Sequence, residues 1–592
     1  MPTRQPAPAV VVWHRRDLRL ADNPLYADLD GTRTLVALYC VDDDDFSRRP
    51  SAVGPWEVAR VGPFAARFLV ESLRALRGAL RSRGSDLVVR WGQPHVVLPR
   101  LVQEMAAADP DGVGSRGVEV RFAADAAPGT SERQSEERVM GVLQAWPCRG
   151  QVRGIPTSTL FHPDDLPTSA DDWRRLAHPN QKHRPKRRGR PKRDGGRAGE
   201  GKSGKVKDTS VPAYSTPSHL KGAPAVMGEW RRAARSANPI RAPVPAPAAL
   251  PPTPKWLERG EIPKYSALMA PVLGSSGRTD SLFGLAPEMI VATVQAAAED
   301  ASADPRSAHD LVGGEAAAFE QLMTFLARGG GKVEDRAAAG VGNNGSAKLS
   351  AYLAFGCISA REVYAASAEV EGADWLCSHL EIRDYFLYRH ASQGAAIFAR
   401  LPPGAAKTEI TWRDDLCRKG SEGAMLWARW ASGSTGLPLV DASMRELWMT
   451  GYTSNRCRQN DASVLAKDLC IDWRAGAELM QWLLVDHDVA SNWGNWAYFS
   501  GAGADPKNRH FRTVSQALKY DAGASFIRTW IPELQGCTVA QAIWPFGSSN
   551  IGGVEGWLKP VVDPWTQLTW QDAERARHNP DDWICMQSGD AS

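Results

Sequence analysis

The chain reads as an N-terminal α/β part built on a doubly wound parallel sheet, followed by an all-α C-terminal part, with a long disordered basic insert between them. Three observations predict this. Residues 9–160 alternate short apolar runs with amphipathic stretches, residues 315–534 carry helical periodicity with almost no alternating runs, and residues 180–255 are rich in Pro, Gly, Lys and Arg. In the first part VVVWH (10–14), TLVALYCV (34–41), DLVVRW (86–91) and VEVRFAA (118–124) read as strands. The stretches 57–83, 95–107 and 131–146 have the 3.6-residue period of helices. Strand–helix alternation of this kind covers both faces of a parallel sheet.

The later segments follow the same logic. Residues 180–255 hold too few large apolar groups to offset the entropy of ordering them, so they are expected to be disordered or a surface loop. Residues 266–313 read as a mixed linker with one helix near 286–300, and the tail, 535–592, carries Trp and Pro but little period. The expected divisions are 9–170, a linker 171–314 holding the insert at 180–222, a helical domain 315–534, and an extension 535–592.

Composition narrows the classes. The apolar fraction of 43% is enough for real cores, and no run approaches the roughly 18 apolar residues of a membrane span. The nine Cys are scattered and never in CxxC spacing, which argues for a reducing compartment and against a zinc or iron–sulfur site, so no metal is expected. The first apolar run begins at Ala9, and no targeting peptide is evident, so a nuclear or cytoplasmic location is expected. The net charge of +4 is a local effect: eight Lys/Arg lie between Lys182 and Arg193, and the remaining 63 basic residues face 67 acidic ones. Trp is in excess, 22 against 11 Tyr and 15 Phe, which fits either dense aromatic core or electron-transfer wiring.

Three segments carry chemistry. In DHDVASNWGNWAYFSGAGADP (486–506), carboxylates, an amide and closely spaced indoles are what holding and reducing a redox ring requires. In GNNGSAKLSAYLAFGCIS (342–359), hydroxyls and an ammonium precede a helix near Leu349; this suits a pyrophosphate cradle, or simply a Ser-capped helix. In 435–473, Arg458 is a candidate buried cation for Asp486, and Trp473 is either core or part of a relay with Trp496.

These blocks, together with VVWHRRDLRLADNP (11–24), resemble the cryptochrome/photolyase family; NRCRQN (455–460), Tyr498 and GAGADPKNRHF resemble its DASH branch most. The resemblance covers roughly 9–170 and 315–534. It implies FAD in the helical domain and, in many members, a folate (methenyltetrahydrofolate) antenna on the α/β domain, where Glu132 falls near a folate-contacting position. It implies that Ser346, Lys348, Leu349 and Ser350 line the FAD phosphates, with Ala347 in place of the usual Ser or Thr. Arg383 and Asn455 would complete the pocket, Arg458 would pair with Asp486, and Asp488 or Asp486 would accept the flavin N3–H. Asn492 would face flavin N5. Trp496 and then Trp473 would donate electrons, with Trp412 or Trp427 as the outer member.

The pattern breaks in WLCSHLEIRDYFLYRH (375–390). Repair-competent members carry Glu and Trp where this chain has His379 and Ile382, and the altered substrate pocket would also include Gln459 and Tyr498. A flipped dimer stacks on the indole, and each lost base–aromatic stack costs about 1–3 kcal/mol. A shift of register would bring Glu381 to the carboxylate position. The insert RPKRRGRPKRDGGR (184–197) resembles an AT-hook: Arg188-Gly189-Arg190-Pro191 would lie in a narrow A·T minor groove. Expected partners are thus DNA, single-stranded or A·T-rich duplex, and an unidentified signalling protein, with no membrane, the chain acting as a monomer. The reading favours a DASH-type blue-light flavoprotein with a Trp relay, more a photoreceptor or regulator than an efficient repair enzyme. Its rivals are a single-strand-specific cyclobutane pyrimidine dimer photolyase and a DNA-binding scaffold with a vestigial flavin pocket.

Overall fold

The computed structural model describes residues 8–29, 33–115, 117–124, 130–144, 151–179, 220–273, 282–298, 304–307, 311–329, 346–403, 405, 410–416, 418–505, 507–547 and 552–578. The basic insert, with Arg188, Gly189, Arg190 and Pro191, lies outside them.

The N-terminal part is a five-stranded parallel sheet. Its strands are β1 (Ala9–His14), β2 (Leu35–Val41), β3 (Leu87–Trp91), β4 (Val118–Ala123) and β5 (Gln151–Ile155), in the order β3-β2-β1-β4-β5. Val11 lies opposite Val36 on one side and Val120 on the other. Both faces are covered, which is why the strands read as unbroken apolar runs. Val10, Val12, Leu35 and Ala37 enter one core, whereas Val11, Trp13, Val36 and Val120 enter another. The helices α1 (Pro63–Arg81), α2 (Pro94–Ala108) and α3 (Thr130–Gln144) provide the crossovers.

The four expected strands are present, and β5 is an addition. QVRGI escaped the apolar-run criterion because it is an edge strand without a buried residue. The helix expected from residue 57 begins at Pro63, since Glu57–Val58 pairs with Arg49–Pro50 instead. Strand order reverses between β1 and β4, and the chain leaving β1 at that point carries Arg15, Arg16 and Arg19. Buried Arg19 donates to the carbonyls of Gly356, Asp22 and Thr157, and Arg361 clamps Asp22 with two bonds of 2.9 Å. This loop ties the sheet to the helical part.

The expectation of a disordered segment or surface loop through 180–255 fails at one place. Residues 227–237 form α4 (Met227–Ala237), and Trp230 is buried against Tyr388 with ring centroids 5.7 Å apart. One large indole at the right place supplies the burial that average composition conceals. The helical part includes α5 (Ser350–Phe355), α6 (Asp374–Gln393), α7 (Glu422–Ala431), α8 (Pro438–Thr450), α9 (Asn455–Ser463), α10 (Trp473–Leu483) and α11 (Val489–Ser500). Its core is continuous with one face of the sheet. The tail also packs: Ile543 and Trp544 join Val514, Leu518, Ile527 and Trp530 in a second core. Among the described residues no helix is long and apolar enough to cross a membrane.

Candidate cofactor and substrate site

A cavity of about 410 Å³ opens between α5, α6, α9, α10 and α11. At one end lie Ser346, Ala347, Lys348, Leu349 and Ser350. Lys348 sits in the left-handed region, φ 56°, so the chain turns sharply just before α5 and keeps these residues together. Burial pulls the Lys348 ammonium down to about 8, a penalty that an anionic ligand would relieve. Arg383, Asn455, Arg458, Asp486, Asp488 and Asn492 complete the wall, so every residue proposed for the cofactor shares this one cavity.

The polar groups are oriented by specific bonds. Arg458 donates Nη2–H to Asp486 Oδ2 at 2.9 Å and Nε–H to the Thr453 carbonyl at 2.9 Å. Among the described residues Asp486 Oδ1 is buried without a hydrogen-bond partner, an arrangement costly enough to imply a ligand donor there. Asp488 caps α11 by accepting Ser491 N–H at 2.7 Å. Burial works against its ionisation, yet the Arg383 guanidinium and the Ser491 bonds hold its carboxyl below the usual range. Asn492 spends an N–H on the Ala477 carbonyl at 3.0 Å, which leaves its side-chain oxygen as an acceptor. An orphan acceptor, an oriented amide and a cationic end suit a flavin ring at one side and its phosphates at the other.

Trp496 forms part of the wall, and α10 is shaped to receive it. A Cβ on Gly476 would come within 2.3 Å of the Trp496 ring. Trp473 stands one turn earlier on α10, in edge-to-face contact with Trp493 at 5.7 Å, and donates to the Arg400 carbonyl at 3.1 Å. Arg400 in turn covers the ring of buried Trp412, 5.0 Å from its centroid. The two indoles thus share Arg400, whereas Trp427 lies elsewhere, stacked on Trp430 at 5.6 Å.

Another wall of this cavity comes from α6. His379, Ile382, Arg383 and Phe386 line the cavity. Glu381 points away from it and is buried between Arg231 and Arg235 of α4, with bonds of 2.9 and 2.5 Å. On this face of α6 the cavity is thus lined by His379 and Ile382, with Glu381 engaged elsewhere. His379 donates Nδ1–H to the Trp375 carbonyl at 2.7 Å, which leaves Nε2 as an acceptor while the ring is neutral. Gln459 accepts from Arg456, and Tyr498 lies beneath Arg509; neither lines the cavity. Sequence reading missed Trp375, which lines the cavity and meets His379 edge-to-face at 5.2 Å. The spacing 375, 379, 382 on one helix face was the available signal.

A second cavity, about 490 Å³, lies outside the carboxyl ends of β1 and β2, beside the point between β1 and β4 where the sheet order reverses. Ligands in open α/β sheets bind at such switch points. Arg15, Arg16, Asp45, Glu132, Glu478 and Trp493 are among its lining. The residues of α11 divide between the two cavities: Val489 and Trp493 face this one, Asn492, Asn495 and Trp496 the other, and His487 touches both. Burial and then the Arg16 charge drive the His487 imidazole well below its ordinary value, so it is neutral.

Comparison with known proteins agrees with this geometry. Residues 375–571 match the FAD-binding domain of DNA photolyase, and residues 10–192 match the DNA photolyase family model. Cryptochrome DASH of Natronomonas pharaonis is 33% identical over 574 residues, covering 93% of this chain and 98% of that protein. Cryptochrome DASH of Gloeobacter violaceus is also 33% identical, over 94% of this chain and 93% of its own length. The crystal structure of a Synechocystis cryptochrome superposes with a TM-score of 0.69 at 26% identity, covering 97% of this chain and all of that one. With a photolyase-type FAD-binding domain whose polar wall fits the cofactor, and relatives of this identity over nearly their whole length, the chain is a DASH-like member of the cryptochrome/photolyase family, a flavin-dependent blue-light protein.

Proposed function

We propose that this protein is a blue-light receptor or regulator with affinity for DNA, in which light drives electron transfer from Trp496 to bound FAD, and that it is not an efficient repair enzyme. The chemistry FAD supplies is blue-light absorption and one-electron exchange. The chain's own residues would do the rest: Asp486 Oδ1 would accept the ring N–H, the Asn492 amide would face the ring, Lys348 would neutralise phosphate charge, and Trp496 would give the electron. The observation that carries this reading is the division within one cavity. Its donor side keeps Trp496, Asn492 and Asp486, while its α6 side presents His379 and Ile382, neither a carboxylate nor an indole. Trp496→Phe is expected to slow flavin photoreduction strongly in a flash experiment while FAD content is retained; unchanged kinetics would refute the role of Trp496.

A folate antenna in the second cavity belongs to the same proposal, supported by its position beside the sheet's switch point and by Glu132 in its lining. One observation favours the rival reading as a single-strand-specific dimer photolyase. Trp375 offers an aromatic face on the same side of α6 as the missing indole, with His379 beside it as a hydrogen-bonding group. The two readings part on light-driven dimer reversal.

A further inference from the structure

The Trp496 ring makes contact with Trp430, centroids 6.0 Å apart at 76°. From there the indoles continue: Trp430 stacks on Trp427 at 5.6 Å, and Trp427 stacks on Trp56 at 4.9 Å with only 8° between the planes. All four are buried, with exposures of 3% or less. The row starts in the wall of the first cavity and ends in the α/β part, beside the second. Close ring-to-ring contact is what fast electron hopping needs, because coupling falls steeply with edge separation.

What each indole N–H meets differs along the row. Trp430 donates to the Asp461 carbonyl at 3.1 Å and Trp427 to the Phe283 carbonyl at 3.0 Å. A backbone carbonyl accepts a hydrogen bond but is far too weak a base to take the proton. Trp56 instead donates to a carboxylate, Glu478 Oε2, at 3.3 Å. Glu478 is held in place by the Ser51 hydroxyl at 2.5 Å and the Ala52 N–H at 3.3 Å, and it lines the second cavity. Gly54 fixes the other side of the contact, since a Cβ there would fall 2.2 Å from the Trp56 ring. The direction through Trp473 lacks this feature: Trp473 faces the Arg400 carbonyl, and Trp412 Nε1 is buried without a partner among the described residues.

We propose that Trp430, Trp427 and Trp56 form a second electron conduit from Trp496 toward the inter-domain cavity, with Glu478 as the proton acceptor that traps the oxidised state at Trp56. The proposal rests on the reading of Trp496 as first donor. The light-excited flavin is the one-electron oxidant of Trp496. Trp430 then refills Trp496, Trp427 refills Trp430, and Trp56 refills Trp427, so that one electron has left Trp56 for one gained by the flavin. An oxidised indole is far more acidic at nitrogen than the neutral ring, comparable with a carboxylic acid. The Trp56 N–H bond breaks, its proton goes to Glu478 Oε2, and a neutral indolyl radical remains that cannot be refilled without a proton. Because carbonyls face the inner two indoles, the charge passes them with their protons in place.

The test uses flavin-loaded full-length protein and follows indole radicals by transient absorption after a blue flash. Glu478→Gln keeps a hydrogen-bond acceptor for Trp56 but offers no base; it is expected to abolish the neutral indolyl spectrum and shorten the charge-separated lifetime several-fold. Trp56→Phe is expected to do the same. Neutral-radical yield and lifetime unchanged in both variants would overturn the conduit. Trp496→Phe separates the two levels: intact photoreduction in that variant overturns the first-donor reading itself, whereas loss there with unaltered Trp56 and Glu478 variants overturns the branch alone. Near-ultraviolet circular dichroism of flavin-free protein supplies a readout independent of photochemistry. An exciton couplet present in the parent and lost in Trp56→Phe supports the stack, and its absence from the parent overturns it.

Discussion

The Arg458–Asp486 bond shows how far single residues could be anticipated: a buried cation needs a carboxylate, and the two stood out together before the resemblance was drawn. Glu381 shows the opposite case. Two residues from His379, it was a plausible substitute carboxylate until α4 was seen to bring Arg231 and Arg235 against it. No local pattern encodes a pair whose members lie about 150 residues apart. Glu446, on α8, was not singled out at all, because its character comes from burial. Burial pushes its carboxyl from 4.5 up to about 8, against which Thr453, Arg458 and Lys348 work only partly. The folded protein therefore holds a proton there that the unfolded chain has released between those two values. Its stabilising contribution is complete below pH 4.5 and is lost as pH rises through about 8. Glu446→Gln keeps the shape and removes the titration, so the stability of the parent relative to this variant should decline over that interval in denaturant melts. A constant difference would show that Glu446 titrates normally.

Among the elements, α10 and α11 decide whether Trp496 can work. Trp473 on α10 and Trp496 on α11 both stood out in the sequence, but Gly476 carried no signal of its own there. Its backbone is ordinary helix, and only the approach of the Trp496 ring requires a missing side chain. Gly476→Ala improves helix propensity by about 1 kcal/mol yet forces a methyl into the indole, and overpacking of this kind costs about 1–3 kcal/mol. The expected result is a net loss of stability or displacement of Trp496, read by thermal melts and by slower flavin photoreduction. A more stable variant with normal photoreduction would mean that α10 and α11 yield freely. The helix α4 makes a related point about reading elements. Eleven residues with an apolar stripe at Trp230, Ala233 and Ala234 lie within a Pro- and Arg-rich stretch, and averaging over that stretch hid them.

Over the whole molecule, the parallel sheet and the helical part were legible because their apolar periods are long and uninterrupted. The second core at the C-terminal end was not, since its short elements, such as Val539–Ile543, are held by Trp530 and Trp544 rather than by any period of their own. DNA affinity is proposed at this scale too. Eight cations between Lys182 and Arg193 form the basic run in a chain otherwise slightly acidic. Deleting 182–197 should weaken duplex binding and flatten the dependence of log K on log salt, because fewer counterions are then released. An unaltered slope would mean that the segment only links its neighbours. The central claim is that electron supply to the flavin is built in while the contacts that would use the electron on a dimer are gone. Its most direct test is light-driven reversal of a pyrimidine dimer in a single-stranded oligonucleotide by purified protein carrying reduced FAD. The parent is expected to turn over far more slowly than the double variant His379→Glu/Ile382→Trp; robust turnover by the parent would contradict the claim.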